Sequence, residues 1–337
     1  MSLAINTTTP EGLVLAADSR QSYRNRQGMA RVGSDNAFKV FEINRRVGAA
    51  VTGMAFLPEG GVPKNISKFL SEFGQKRGVE SLGVLEVANG LHALFNKKHD
   101  WEKRLESLPK KVETDLKRQG LELLKMEKKE HFIEFTFKDK NGKEQRGQAG
   151  VDSINILVGG YDEDGSHKVY TIRIPGKVEK KRDSQERGKE YGASWIGQMD
   201  VVSRIVLGWD GRISNVEFVK EAMQKYGQEK VNKQLRNLEY SIQWGTMTLQ
   251  DAIDFCVLMI QTTSAIQRFS DGIAASPGDI PGVGGPVDVA VITPEKGFVW
   301  VTKKNLKVGE NEVNLDKFPD LPPQKPKKKK KQKPTPK

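Results

Sequence analysis

Glu11-Gly12-Leu13-Val14-Leu15-Ala16-Ala17-Asp18-Ser19-Arg20 is the stretch on which the fold turns. Its apolar run, Leu13 to Ala17, predicts a short strand, and Leu3 to Ile5 predicts another just before it. Thr7-Thr8-Thr9-Pro10-Glu11-Gly12 lies between them and reads as a turn, so the chain opens on a hairpin. A second apolar pair, Phe38 to Ile43 and Val47 to Thr52, flanks Asn44-Arg45-Arg46, and Gly53 ends its second strand. From Pro63 to Leu108 the period turns helical: Ile66, Phe69, Leu70 and Phe73 recur at spacings of three and four. Ile154 to Tyr161 has the continuous apolar character of a fully buried strand, and His167 to Ile174 pairs naturally with it. Val201 to Leu207 and Asp251 to Ile266 predict helices, and Val287 to Ile292 with Gly297 to Val301 predicts a last hairpin. The order strands, helices, strands, helices, strands fits an α+β fold of two antiparallel sheets with helices outside them.

Two segments interrupt this pattern. Residues 109 to 130 are dense in Lys and Glu and predict an exposed helix, followed by an alternating strand, His131 to Phe137, and a turn at Asp139 to Lys143. Asp210 to Gln243 predicts a charged helical insert. The chain thus divides into a main domain, residues 2–305, with inserts near 109–150 and 210–243, and a Lys/Pro-rich tail, residues 306–337, expected to be disordered.

Composition narrows the function classes. The net charge is +12, but eight lysines lie beyond Leu321 with no acid among them, leaving +4 on the body. Such a tail suits a solubilising or tethering role, with weak, nonspecific contact with nucleic acid as the alternative; no interleaved aromatics suggest base stacking. Hydrophobic residues make up 36% and charged residues 29%, and no apolar run reaches membrane-spanning length, so a soluble protein is expected. The N-terminal stretch lacks the basic, apolar and small-residue pattern of a secretory signal, so none is expected. Cys256 is the single cysteine, which excludes an intrachain disulfide and fits the reducing cytoplasm; its apolar helical setting predicts burial. The four histidines, His92, His99, His131 and His167, lack metal-ligand spacing, and no glycine-rich loop precedes a helix, so neither a metal, a nucleotide nor another cofactor is expected.

Met1 before a residue as small as Ser is normally removed, which would make Ser2 the mature N-terminus, carrying a hydroxyl and a free α-amine on one residue. What gives this weight is spacing. Glu11 to Arg20, Lys39 to Gly53, Ile156 to Gly165 and Gly284 to Ile292, in that order, resemble the motifs of proteasome β-type subunits. The resemblance implies the four-layer αββα sandwich of N-terminal nucleophile hydrolases and peptidase activity at the mature N-terminus. It further implies a polypeptide substrate, a homo-oligomer built as a ring or spiral, and an unfoldase partner.

The family's nucleophile lies sixteen residues before the Asp of its Ala-Ala-Asp-x-Arg strand, and sixteen before Asp18 is Ser2. Thr7 stands too close to Asp18 for that role. Lys39-Val40-Phe41-Glu42-Ile43 matches the family's Lys-x-Phe-x-Ile, and Gly53, fourteen residues on, falls at the oxyanion-hole glycine. By the resemblance, Lys39 lowers the pKa of the Ser2 amine and hydroxyl, Asp18 orients Lys39, and Arg20 helps fix the strand. A structural ion pair between Asp18 and Lys39 is the alternative. Val51 maps to a side chain that shapes the specificity pocket, here apolar, or is simply strand core. Asp271, rather than Asp279, matches the family's further aspartate. Two departures stand out: Gln198 and Val283 occupy positions where the family has Ser. They leave open two alternatives to a peptidase: a non-catalytic subunit that assembles or binds a partner, and a hydrolase of small amides.

Overall fold

The computed structural model describes residues 2–25, 29–270, 280–308, 311–313 and 317. It divides into two compact units, Met1–Lys303 and Lys304–Lys337. The second contains a small antiparallel hairpin, Leu306–Val308 with Asn311–Val313. Disorder is expected from residue 306 onward, and this hairpin departs from that expectation; the lysine-rich segment beyond Leu321 lies outside the described residues.

The first unit mixes helices with antiparallel sheets. Its core strands are β1 (Leu3–Thr9), β2 (Gly12–Ala17), β3 (Val40–Asn44), β4 (Val47–Gly53), β5 (Ile154–Tyr161), β6 (His167–Ile174), β7 (Val178–Asp183), β8 (Gly192–Gly197), β9 (Asp288–Thr293) and β10 (Gly297–Thr302). One five-stranded sheet runs in the order β8-β1-β2-β9-β10 and the other in the order β7-β6-β5-β4-β3. Seven α-helices occur among the described residues: α1 (Ile66–Gly74), α2 (Val84–His99), α3 (Trp101–Gln119), α4 (Asp200–Leu207), α5 (Glu217–Tyr226), α6 (Gln228–Leu235) and α7 (Leu249–Phe269).

The side-chain period of two explains why β2 is apolar throughout. Leu13, Leu15 and Ala17 join a cluster with Val40, Ala50 and Leu157 of the other sheet. Val14 and Ala16 point the other way, into a cluster with Val202 and Val206 of α4 and Cys256, Met259 and Ile260 of α7. The second sheet behaves likewise: Ala49, Val51, Ile156 and Val158 meet Phe69, Leu70 and Phe73 of α1 and Leu91 and Phe95 of α2. A strand buried on both faces has no polar position to spare.

Two of the helices that close these cores, α1 and α7, are capped at their N-termini by side chains of the flanking residues. Asn65 caps α1 by accepting the Ser67 N–H at 2.9 Å. Thr248 and Asp251 form a reciprocal capping box at α7.

Two local expectations need correction. Thr7, Thr8 and Thr9 are not turn residues: they continue β1, fully buried, and the turn is confined to Pro10 and Glu11. β-Branched side chains suit a strand, and each hydroxyl finds a partner there: Thr7 with Cys256 Sγ, Thr8 with Asn6, and Thr9 with the Gly12 carbonyl. Nor is 109–130 one helix. The helix α3 starts earlier and stops at Gln119, where Gly120 takes φ 72°, and Glu122–Lys128 forms a strand. That strand pairs with Phe132–Lys138, which pairs in turn with Glu144–Gly150. Ile133 on this small sheet packs against Leu105, Val112 and Leu116 of α3. The segment therefore carries a core of its own, which its charge density concealed. The 210–243 insert is helical, as α5 and α6. No helix among the described residues is long and apolar enough to cross a membrane.

Cys256 Sγ lies 3.2 Å from Thr7 Oγ1 in the α7 core, and burial pushes its thiol up to about 12. A thiol held neutral and out of solvent is a poor nucleophile. The folded protein is therefore expected to be inert to a disulfide-exchange reagent such as Ellman's reagent at pH 8, with one equivalent released on adding denaturant. Stoichiometric reaction in the native protein would contradict the burial.

Candidate active site

Five strand ends meet at one edge of the two sheets. Ser2 immediately precedes β1, Asp18 follows β2, Lys39 precedes β3, Gly53 closes β4 and Gly197 closes β8. The register brings them together: Ala4 pairs with Ala17, Leu3 with Gly197, and Gly53 with Ile154. Residues far apart in sequence are neighbours because antiparallel pairing sets the start of one strand beside the end of the next.

Asp18 lies at the centre, with no exposed surface. Its Oδ1 accepts the Leu3 N–H at 3.0 Å and the Lys39 ammonium at 2.7 Å. Its Oδ2 accepts the Arg20 and Gly284 N–H groups, each at 3.0 Å. The Lys39 Nζ also donates to the Arg20 carbonyl at 2.5 Å. Lys39 is itself only 6% exposed, so this is a desolvated ion pair completed by hydrogen bonds, not a surface contact.

Ser2 is buried, and its carbonyl accepts the Gln198 N–H at 2.7 Å. Its neighbour Leu3 donates to Asp18, so both polar ends of the Ser2–Leu3 peptide group are held. Gly197 permits the approach: a Cβ there would sit 2.0 Å from the Ser2 carbonyl oxygen, and the residue takes φ 95°. Gly53 has the same dual requirement, with φ 96° and a would-be Cβ 2.1 Å from the Ser153 carbonyl.

Above Asp18 a cleft opens, lined by Ser2, Lys39, Val51, Thr52 and Gly53 and walled by Phe38, Met54, Ala55 and Ile66. Gln21, Ser22 and Asn65 complete its rim, and Asn65 Nδ2 donates to Gln21 Oε1 at 3.4 Å. Apart from Lys39 and Arg20 the lining is uncharged and largely apolar. Thr52 Oγ1 is buried without a hydrogen-bond partner. Of the residues singled out by sequence, Ser2, Lys39, Val51 and Gly53 line the cleft and Asp18 lies beneath it, while Asp271 and Asp279 lie outside the described residues.

Sequence reasoning missed two partners. Asp35 takes the Arg20 guanidinium in a two-pronged contact, Nε to Oδ1 at 2.6 Å and Nη2 to Oδ2 at 3.0 Å. Gly284 brings a backbone N–H to Asp18, and a Cβ on it would lie 2.6 Å from the Arg20 guanidinium carbon. A backbone donor leaves no trace in side-chain identity, though a Gly-Gly pair flanked by Val283 and Pro286 signals a tight approach.

No protein-family model matches the chain, and no curated protein matches it. Solved structures do: the Gly-1 mutant of Anbu from Hyphomicrobium sp. strain MC1, at 10% identity, 89% coverage of this chain, 85% of that one and a TM-score of 0.43. The helical assembly of the Anbu complex from Pseudomonas aeruginosa gives 12% identity, 89% and 87% coverage and a TM-score of 0.43. Anbu (ancestral beta-subunit) from Yersinia bercovieri gives 11%, 89% and 87%, and 0.41.

Two outcomes test the electrostatics. Asp18→Asn keeps the shape but leaves the Lys39 cation buried without its counter-ion, and is expected to cost about 3–5 kcal/mol in a denaturant titration. A loss below ~1 kcal/mol would mean that the pair is not desolvated in solution. The second concerns Asp35, whose carboxyl the hydrogen-bonded Arg20 guanidinium holds below the usual range. Its contribution is in force above the unfolded carboxylate pKa and fades as pH falls through the lower folded value. Asp35→Asn should therefore lower stability at neutral pH and converge with the parent protein in acid. Parallel stability curves across that window would reject the assignment.

Proposed function

We propose that this protein is an N-terminal nucleophile hydrolase of the four-layer αββα type, cleaving peptide bonds with Ser2 once Met1 has been removed. The observation that carries this reading is the single cleft in which Ser2, Lys39, Val51 and Gly53 converge over the buried Asp18.

The chemistry follows from the groups present. The Ser2 hydroxyl attacks the substrate carbonyl and passes its proton to the Ser2 α-amine, directly or through water. An α-amine titrates near ~8 when unperturbed, and the neighbouring Lys39 cation favours its neutral, basic form. Asp18 and the Arg20 carbonyl hold that cation in place. The tetrahedral oxyanion is met by the Gly53 N–H, a type of contact worth about 3–4 kcal/mol. Collapse breaks the C–N bond, the ammonium returns its proton to the departing amine, and an ester on Ser2 remains. Water, deprotonated by the same amine, then hydrolyses the ester. Val51 and the apolar cleft wall favour an apolar side chain beside the scissile bond. Asp271, carried over from the motif resemblance alone, belongs to the proposed set as a support near the amine.

The same resemblance extends the proposal to a polypeptide substrate, a homo-oligomer and an unfoldase partner in the cytoplasm. A subunit that assembles without catalysis is the second reading, favoured by Gln198 and Val283 at positions where the family has Ser.

Intact-mass measurement of the purified protein is expected to find Met1 absent and, after a β-lactone probe, one adduct on Ser2. Ser2→Ala should abolish the adduct and cut peptide turnover at least ~10³-fold. Retained Met1, or full turnover by Ser2→Ala, rejects the proposal. An unlabelled but assembled protein supports the second reading.

A further inference from the structure

Gln267 stands near the end of α7, 5% exposed, outside the cleft and unused by the chemistry above. Its carboxamide is engaged at both ends. Oε1 accepts two backbone N–H groups, from Gly282 at 3.0 Å and Val283 at 2.9 Å, and Nε2 donates to Gln198 Oε1. Two N–H donors on one end leave no choice of amide orientation: the oxygen must face the loop and the NH₂ must face Gln198. Gly282 and Val283 are buried, so without Gln267 their N–H groups lose the acceptor they have.

Each group that Gln267 holds leads to Ser2 by a separate path. Gln198, held by its side chain, donates its own N–H to the Ser2 carbonyl. The loop, held at Gly282 and Val283, delivers the Gly284 N–H to Asp18, and Asp18 accepts the Leu3 N–H. The two paths meet at opposite ends of the Ser2–Leu3 peptide group and close a ring of hydrogen bonds through the Gln267 side chain.

We propose that Gln267 is a positioning residue for the nucleophile, fixing the Ser2–Leu3 peptide plane by tying the end of β8 to the loop before β9. The proposal rests on Ser2 acting as the nucleophile. It accounts for Gln198: a short Ser at that position could not span to α7, whereas a carboxamide does.

Gln267→Leu keeps the approximate volume and deletes all three hydrogen bonds; Gln198→Ala removes the acceptor for Nε2 at a half-buried position and leaves the backbone N–H that serves Ser2. Both are examined as full-length protein for amide hydrogen exchange and for β-lactone acylation of Ser2. Gln267→Leu should speed exchange at Leu3 and Gly284 about tenfold or more relative to Leu15 in mid-β2. The saturating rate of Ser2 acylation should fall about tenfold or more, with the half-saturating probe concentration unchanged. Gln198→Ala should act in the same direction, and the double variant should be little slower than the worse single one, since both cut one ring. Acylation of Gln267→Leu at the parental rate overturns the proposal, as do fully independent effects of the two substitutions. If Gln267→Leu does not fold, an unchanged acylation rate in Gln198→Ala overturns it alone. Absence of acylation in the parent protein rejects the nucleophile reading and the positioning role with it. Faster Leu3 exchange in Gln267→Leu still reports the ring, which separates failure of that reading from failure of the ring.

Discussion

A carboxylate taken wholly out of water must be matched donor for donor, and Asp18 is matched by four. One is a cation and three are backbone amides, from the starts of three different segments. Burial makes the charge costly, and only this set of donors offsets that cost, so the strand ends that supply them must be where they are. β1, β2, the Lys39 approach to β3 and the loop before β9 are therefore registered to one atom pair. The interaction sets positions as much as it contributes stability. Deleting any one donor leaves part of a desolvated charge uncompensated.

Around that charge, backbones come closer than side chains allow. Ser2 can lie against β8 because Gly197 has no Cβ to collide with its carbonyl, and β4 can end against Ser153 because Gly53 has none. Both glycines also adopt positive φ, which an L side chain would resist. Thus each strand can end in close contact with its neighbour, and the next N–H closes that contact: Gln198 on the Ser2 carbonyl and Met54 on the Ser153 carbonyl.

Much of this was legible in the sequence, for a definite reason. β2 and β5 are buried on both faces, so their apolar runs were unbroken, and Lys39 and Gly53 flank such runs. Where partnership replaced apolarity, the signal failed. Thr7 to Thr9 look like turn residues until their hydroxyls are seen paired within the core. β7, with the sequence Val-Glu-Lys-Lys-Arg-Asp, carries almost no hydrophobic pattern because it is a sheet edge. Glu122–Lys128 has its period diluted by four charged residues, so charge density outweighed alternation. Gly284 and Gln267 act through backbone donors contributed by distant segments, and nothing in a linear pattern records that.

Arg20 shows how the site keeps its charges sorted. Its backbone serves the cluster, with the N–H on Asp18 and the carbonyl on Lys39, while its guanidinium is drawn aside by the two oxygens of Asp35. Had the guanidinium reached Asp18 instead, its fork would have matched the carboxylate better than an ammonium does and displaced Lys39. Asp35 is thus more than a surface partner. By satisfying Arg20 it leaves Asp18 to Lys39, and the point charge stays on the cleft side, beside Ser2. Two opposite pairs, Asp18 with Lys39 and Asp35 with Arg20, leave the local charge balanced while the Lys39 ammonium stays at the cleft.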